Sequence, residues 1–413
     1  MAINYTEHPA DLVGSGTLQN APAHVGVKEL KNSIPLHCFK PSPKRSLLWL
    51  LHDVFLAALL SIVAGHYIPQ IEGSMLRWVL WAFYGWLQGL IFTGIWVLGH
   101  ECGHGAFLPW KAANDTIGFL LHSFLLTPYF SWKSTHRRHH IYANNMKLDH
   151  NYVPLRRSEY LQLFGSHVRG LEDLTEDAPF ATFLRIVIQQ LLGWPWYLMN
   201  NITASSQSLV NPKSTKWLGN SHLAPWGSLF RVEEAHLIII SDIGLFATAT
   251  LLYHCSLKLG LGMTLQLYLQ PYLWLNHWIV AITYLHHTHP KLPKFEPEAW
   301  TFIKGATATI DRPLGFIGKH FLHNIADYHV IHHLFSRIPF YHAEEATKAI
   351  KPLMGNDYHA EQDGKFMRSL WESSTQCQWV EGDAVKNPKD RALWYHGGPS
   401  PPPEVNMGRR AWV

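Results

Sequence analysis

Trp78-Val-Leu-Trp-Ala-Phe-Tyr-Gly-Trp-Leu-Gln-Gly-Leu-Ile-Phe-Thr-Gly-Ile-Trp-Val-Leu98 runs directly into Gly99-His100-Glu-Cys-Gly-His104. The apolar part is long enough to cross the ~30 Å hydrocarbon core of a bilayer, and a metal-ligand pattern stands at its end. Two further clusters follow, His136-Arg-Arg-His139-His140 and His329-Val-Ile-His332-His333. Residues three or four apart share one face of a helix, so each cluster aims its imidazoles the same way. Eight converging nitrogens over-supply one ion, whereas two ions can take about four each before oxygen or water is counted. A dinuclear metal site at a membrane face is the economical reading.

Working outward, the run Leu47–Ile68 is also of spanning length and joins Trp78–Leu98 through a turn containing Pro69 and Gly73. Lys28, Lys31, Lys40, Lys44 and Arg45 precede this hairpin, which places the N-terminus and His100 in the cytosol by the positive-inside rule. No cleavable signal peptide is read at the start. Ile117–Phe130 is too short to cross and is read as half-buried or interfacial. Phe183–Met199 is interrupted by Arg185, Gln189, Gln190 and Pro195 and is read as an amphipathic surface helix. Two more spans are expected at Leu237–Cys255 and Leu261–Leu285. Parity supports the count, because clusters sharing one site must be separated by an even number of crossings.

The expected fold is all-α: an integral membrane protein of about four transmembrane helices (47–68, 78–98, 237–255, 261–285) with a cytosolic helical domain carrying the metal site. Residues 1–46 read as a flexible cytosolic tail, 47–358 as the membrane domain and 359–413 as a cytosolic C-terminal tail.

Composition sets the same limits. The 413 residues are 47% hydrophobic and only 15% charged, with 18 Trp, against about 25% charged in soluble domains. A mean hydropathy of -0.05 requires a sizeable polar part beside the spans. Cys38, Cys102, Cys255 and Cys377 form no CxxC pair and fit a reducing compartment. A net charge of +4, without Lys/Arg runs interleaved with aromatics, argues against a nucleic-acid surface.

Isolated histidines, His8, His24, His37, His66, His122, His254, His359 and His396, read as packed or surface residues. His100-Glu-Cys-Gly-His104 also fits HExxH, the zinc motif of metalloproteases with glutamate as general base. That alternative needs one further ligand and leaves the other two clusters unexplained. A transporter or structural protein would bury ionisable groups within its spans; Asp53, Asp242 and His277 are candidates, but the dense chemistry lies at span ends. Trp and Tyr near those ends read as interface anchors.

The three clusters resemble the histidine boxes of membrane acyl-lipid desaturases, particularly the delta-12 (omega-6) oleate desaturases of fungi and plants. Trp96-Val-Leu-Gly-His-Glu-Cys-Gly-His-Gly-Ala-Phe107, Thr283-Tyr-Leu-His-His-Thr-His-Pro290, Ala308-Thr-Ile-Asp-Arg312, His332-His-Leu-Phe-Ser336 and Tyr341-His-Ala-Glu-Glu-Ala-Thr-Lys-Ala-Ile-Lys-Pro352 extend the likeness from about Leu47 to Tyr358.

The resemblance implies a non-haem di-iron centre held by His100, His104, His136, His139, His140, His329, His332 and His333. A ninth ligand is expected from outside the boxes, with His287 the choice and His289 and His323 the weaker candidates. It implies no catalytic residue beyond the ligands, with Glu101 orienting a box histidine. O2 is the implied co-substrate and a fatty acyl lipid or acyl-CoA the substrate. The implied electron donor is cytochrome b5 with its NADH-dependent reductase, drawn to Lys133, Arg137, Arg138 and Lys147; no nucleotide or haem motif occurs in this chain. Localisation follows as a multi-pass protein of the endoplasmic reticulum membrane with cytosolic termini.

The implied reaction is delta-12 desaturation of oleoyl to linoleoyl, with acetylenase, conjugase, hydroxylase or omega-3 desaturase as diverged alternatives. Gly99, Gly105 and Tyr328 depart from the common pattern beside the boxes, and the two glycines are expected to widen the acyl pocket.

Overall fold

The computed structural model describes residues 25–164, 179–361, 365–382 and 391–396, and includes part of the stretch expected to be a flexible tail. Val27–Ser33 (α1) and a 3-10 turn at Leu36–Phe39 bury Leu30, Ile34 and Cys38 against Val330, Ile331 and Leu334. The chain turns at extended Ile34 and Pro35, so two short elements share this burial, and the expectation of a flexible tail is corrected for this part. Residues 1–24 lie outside the described residues.

Two long helices form the expected hairpin. Pro43–Tyr67 (α2) starts at Ser42, with proline in the first turn where its missing N–H costs nothing. Ser74–His104 (α3) follows and is the centre of the molecule: 78% of its most apolar stretch is buried, against 17% of that in the helix Pro43–Gln70, which contains α2. Lys111–Phe124 (α4), Tyr129–Tyr142 (α5) and Pro179–Asn200 (α6) come next. Ala235–Leu259 (α7) is the third helix long and apolar enough to cross a membrane.

The fourth expected span is helical but interrupted. Leu261–Thr264 passes through a π turn at Leu265–Leu269 into Gln270–His287 (α8). This helix carries Gln270 and Asn276 and packs between α3 and α6, with Asn276 donating to the Leu191 carbonyl at 3.2 Å. Helix α6 buries Ile186, Gln190, Trp194 and Leu198 on one side and exposes Phe183, Leu184, Ile188 and Leu192 on the other.

Leu48, Leu51, Phe55 and Ile62 of α2, with Ile243, Phe246, Leu251 and Leu257 of α7, form exposed apolar faces. Water does not cover faces of that extent in a stable protein, whereas hydrocarbon does. The chain is a membrane protein.

Among the shorter helices of the polar half are His329–Leu334 (α9), Ala343–Met354 (α10) and Phe366–Gln376 (α11). It also holds a small sheet that the all-α expectation omitted, with strands Leu155–Arg156 (β1), Lys294–Phe295 (β2), Trp379–Gly382 (β3) and Ala392–Tyr395 (β4) in the order β1-β3-β4-β2. Met146, Cys377, Val380, Leu393 and Tyr395 form its core, so much of the region expected to be a C-terminal tail is folded.

Candidate metal centre

Each histidine cluster stands in a short, well-defined piece of helix. Helix α3 ends at Gly105, whose φ of +70° lets its N–H reach the Cys102 carbonyl while Ala106 N–H reaches that of Glu101. This left-handed glycine stop sets His100 and His104 in the final turns of the helix. His139 and His140 close α5, α9 carries the third cluster, and His287 is the last residue of α8.

These elements converge. His100, His104, His136, His140 and His332 present ligand atoms within 4.8 Å of one another, and His139, His287 and His333 form a second such group. His329 joins the second, its Nε2 lying 3.1 Å from His287 Nε2. The groups adjoin: the His140 and His333 rings stack with centroids 4.2 Å apart.

The nitrogen contacts test whether a metal fits. His104 Nε2 lies 3.3 Å from His100 Nε2 and 3.1 Å from His136 Nε2, and His140 Nε2 lies 3.1 Å from His136 Nε2. A neutral imidazole nitrogen either donates or accepts, so one proton per ring cannot satisfy a run of such contacts. A cation among them takes every lone pair at once, and bonds of ~2.0–2.1 Å at right angles put neighbouring nitrogens about 3 Å apart. Buried His332 Nε2 and His333 Nδ1 also lack hydrogen-bond partners. Burial holds His136, His140, His329, His332 and His333 well below the ordinary imidazole range, in the neutral form that binds metal. The residues fit metal binding.

Three surrounding residues escaped the sequence reading. His139 Nδ1 donates to Asp149 Oδ1 at 2.7 Å, leaving Nε2 for the centre. Asp149 also accepts the Asn144 and Asn151 N–H groups at 2.8 and 2.9 Å. Burial acts to raise its pKa, but His139 and these bonds hold it below the usual carboxylate range. Asp311 Oδ1 accepts the Val330 N–H at 2.8 Å, pinning the start of α9, and its carboxyl is pushed up to about 7 by burial. Lys294 Nζ, buried and lowered to about 8, donates to the His287 carbonyl at 3.0 Å. Asp311 stood in a stretch already singled out, but Asp149 and Lys294 carried no spacing signal.

Other expectations divide. His289 Nδ1 accepts from the Lys291 N–H at 3.1 Å, and His323 Nε2 pairs with Asp53 Oδ2 at 2.6 Å; neither joins a histidine group. Glu101 Oε2 accepts the Phe340 N–H at 3.0 Å while its Oε1 stays 3.7 Å from His100 Nδ1. It therefore ties the first cluster to the chain beyond the third rather than bonding to His100, and it is not placed as a protease base. A Cβ on Gly99 would meet the His122 ring at 2.3 Å, and one on Gly105 would meet nothing within 4 Å. Gly99 is required by close packing and Gly105 by its backbone conformation, which corrects the expectation that they widen a pocket.

Comparison with known proteins follows the same residues. The fatty acid desaturase family profile matches residues 76–364. An oleate hydroxylase of Claviceps purpurea is 41% identical over 375 residues, covering 88% of this chain and 79% of that protein. A delta(12) fatty acid desaturase of Mortierella isabellina is 40% identical over 368 residues, covering 87% of this chain and 89% of that protein. An omega-6 fatty acid desaturase of the endoplasmic reticulum of Brassica juncea is 37% identical over 383 residues, covering 92% and 94%.

Proposed function

The chain belongs to the fatty acid desaturase family, and from that premise we propose that it introduces a cis double bond at the twelfth carbon of an oleoyl chain, yielding linoleoyl. The observation that carries the site assignment is the gathering of His100, His104, His136, His140 and His332 beside His139, His287, His329 and His333. In this reading the nine imidazoles hold two iron ions. Bound iron supplies the activation of O2 that removes one hydrogen from each of two adjacent methylenes.

The protein supplies the rest. Asp149 orients His139, Glu101 and Asp311 fix the ends of the helices that carry the first and third boxes, and buried Lys294 holds the backbone at His287. Placing the centre beside the spans lets the acyl tail enter from the bilayer, avoiding about 0.8 kcal/mol per methylene of exposure to water.

Electrons come from cytochrome b5 and its NADH-dependent reductase. Arg137 and Lys147 are exposed and, with Lys133 and Arg138, make up the expected basic patch for an acidic donor. The working membrane is the endoplasmic reticulum, crossed by the hairpin, α7 and the interrupted helix ending in α8, with both termini in the cytosol.

Expression in yeast lacking dienoic acids, followed by gas chromatography of fatty acid esters, tests the reaction: linoleate is expected. The near-equal identity to a hydroxylase and a desaturase favours one second reading, hydroxylation of oleate, and a hydroxylated product in the same assay establishes it instead. Purified protein is expected to carry about two irons, because imidazole sites bind about four ligands per ion. Full iron content in His100→Ala or His332→Ala would overturn the site.

A further inference from the structure

Four other ligand-type side chains meet outside the histidine centre. His37 and Cys38 come from the 3-10 turn after α1, and His342 and Glu345 from the start of α10, about 300 residues later in the chain. Their ligand atoms lie within 4.8 Å of one another. His37 Nε2 is 2.9 Å from Glu345 Oε2 and 3.7 Å from Cys38 Sγ, and His342 Nδ1 is 3.8 Å from Glu345 Oε2. Tetrahedral zinc, with bonds of ~2.0–2.3 Å, sets neighbouring ligand atoms about 3.4 to 3.6 Å apart, a spacing these distances bracket.

The donor chemistry is selective. One thiolate, two imidazoles and one carboxylate form a mixed soft and borderline set that suits Zn2+ and disfavours Mg2+ or Ca2+. Burial is graded as entry requires: Cys38 is fully buried, while the side chains of His37 and Glu345 are 57% and 49% exposed. The cluster closes a defined junction, because Leu30, Ile34 and Cys38 share one core with Val330, Ile331 and Leu334 of α9 and with Ala346 and Ile350 of α10. It lies on different residues from the nine histidines of the centre.

We propose that His37, Cys38, His342 and Glu345 form a structural zinc site that fastens the N-terminal segment to α10 and braces the helix carrying the third histidine box. All four positions are filled by protein, as in closed structural sites. Cys38 binds as thiolate and releases its proton to solvent.

Metal analysis of the purified full-length protein tests this beside the iron assignment. One zinc per chain is expected besides the iron. Cys38→Ser and the exposed Glu345→Gln should lose zinc and keep iron, whereas His100→Ala should lose iron and keep zinc. Failure of the iron assignment therefore leaves the zinc result readable, and the reverse. Cobalt exchanged into the site should show a thiolate-to-metal charge-transfer band that is absent in Cys38→Ser. Zinc absent from the wild type, zinc unchanged in both variants, or no cobalt band would overturn the proposal.

Discussion

At the scale of single residues, histidines divide by what their nitrogens face. His122 is fully buried, with Nε2 2.9 Å from the Trp96 carbonyl and its ring stacked on Trp96. His286 places its two nitrogens against the carbonyls of Ile282 and Ala326, so both are engaged away from the metal groups. His122→Ala is accordingly expected to cost about 2–4 kcal/mol through the lost ring and hydrogen bond, read as a lower Tm with iron per folded chain retained. Sequence alone read His122 as a packed or surface residue, and its complete burial decides for packing. His100→Ala, His139→Ala and His332→Ala should instead abolish product formation while the protein stays in the membrane fraction. Asp149→Asn keeps the size of the side chain but removes the charge that orients His139. A ~10- to 100-fold loss of iron affinity is expected, measured by chelator competition.

At the scale of elements, the ends of helices decide where ligands point. The stop at Gly105, the carboxylate of Asp311 on the Val330 N–H and the end of α8 at His287 place three of the contributing pieces. Helix α3 also depends on the close approach of α4 at Gly99. Gly99→Ala forces its methyl into the His122 ring and should cost about 1–3 kcal/mol, read as a lower Tm and less folded protein in detergent. The histidine spacings were legible as helical faces, and the glycine-rich flank of the first box was legible as unusual. Its packing reason was not, because the partner His122 is separated from it by a loop and a further helix whose docking no local pattern specifies.

For the whole molecule, topology is the property most exposed to test. Asn4, Asn114 and Asn201 all lie in glycosylation sequons read as cytosolic. Asn4 falls outside the described residues. Asn114 is 3% exposed and bonded through its amide to Leu108 and Trp110, and Asn201 is 6% exposed, so folded protein hides both from a transferase on either side of the membrane. A sequon on a hydrophilic insert in the Ile71–Gly73 turn should therefore be the sharper probe. It should gain an endoglycosidase-sensitive glycan, whereas the same insert beside the exposed Trp217 should not; the opposite pattern would reverse the orientation. By itself the sequence determined the helical membrane class, the hairpin and the eight box histidines, because hydrophobic length and helical spacing are local properties that survive any tertiary arrangement. Only the tertiary structure decided how the box histidines divide into two groups with His287, that Asp149 and Lys294 support them, that residues 27–39, 366–382 and 392–395 contribute folded elements, and that His37 meets Glu345. Those are contacts between distant segments, and they exist only when the whole apolar core has closed around α3.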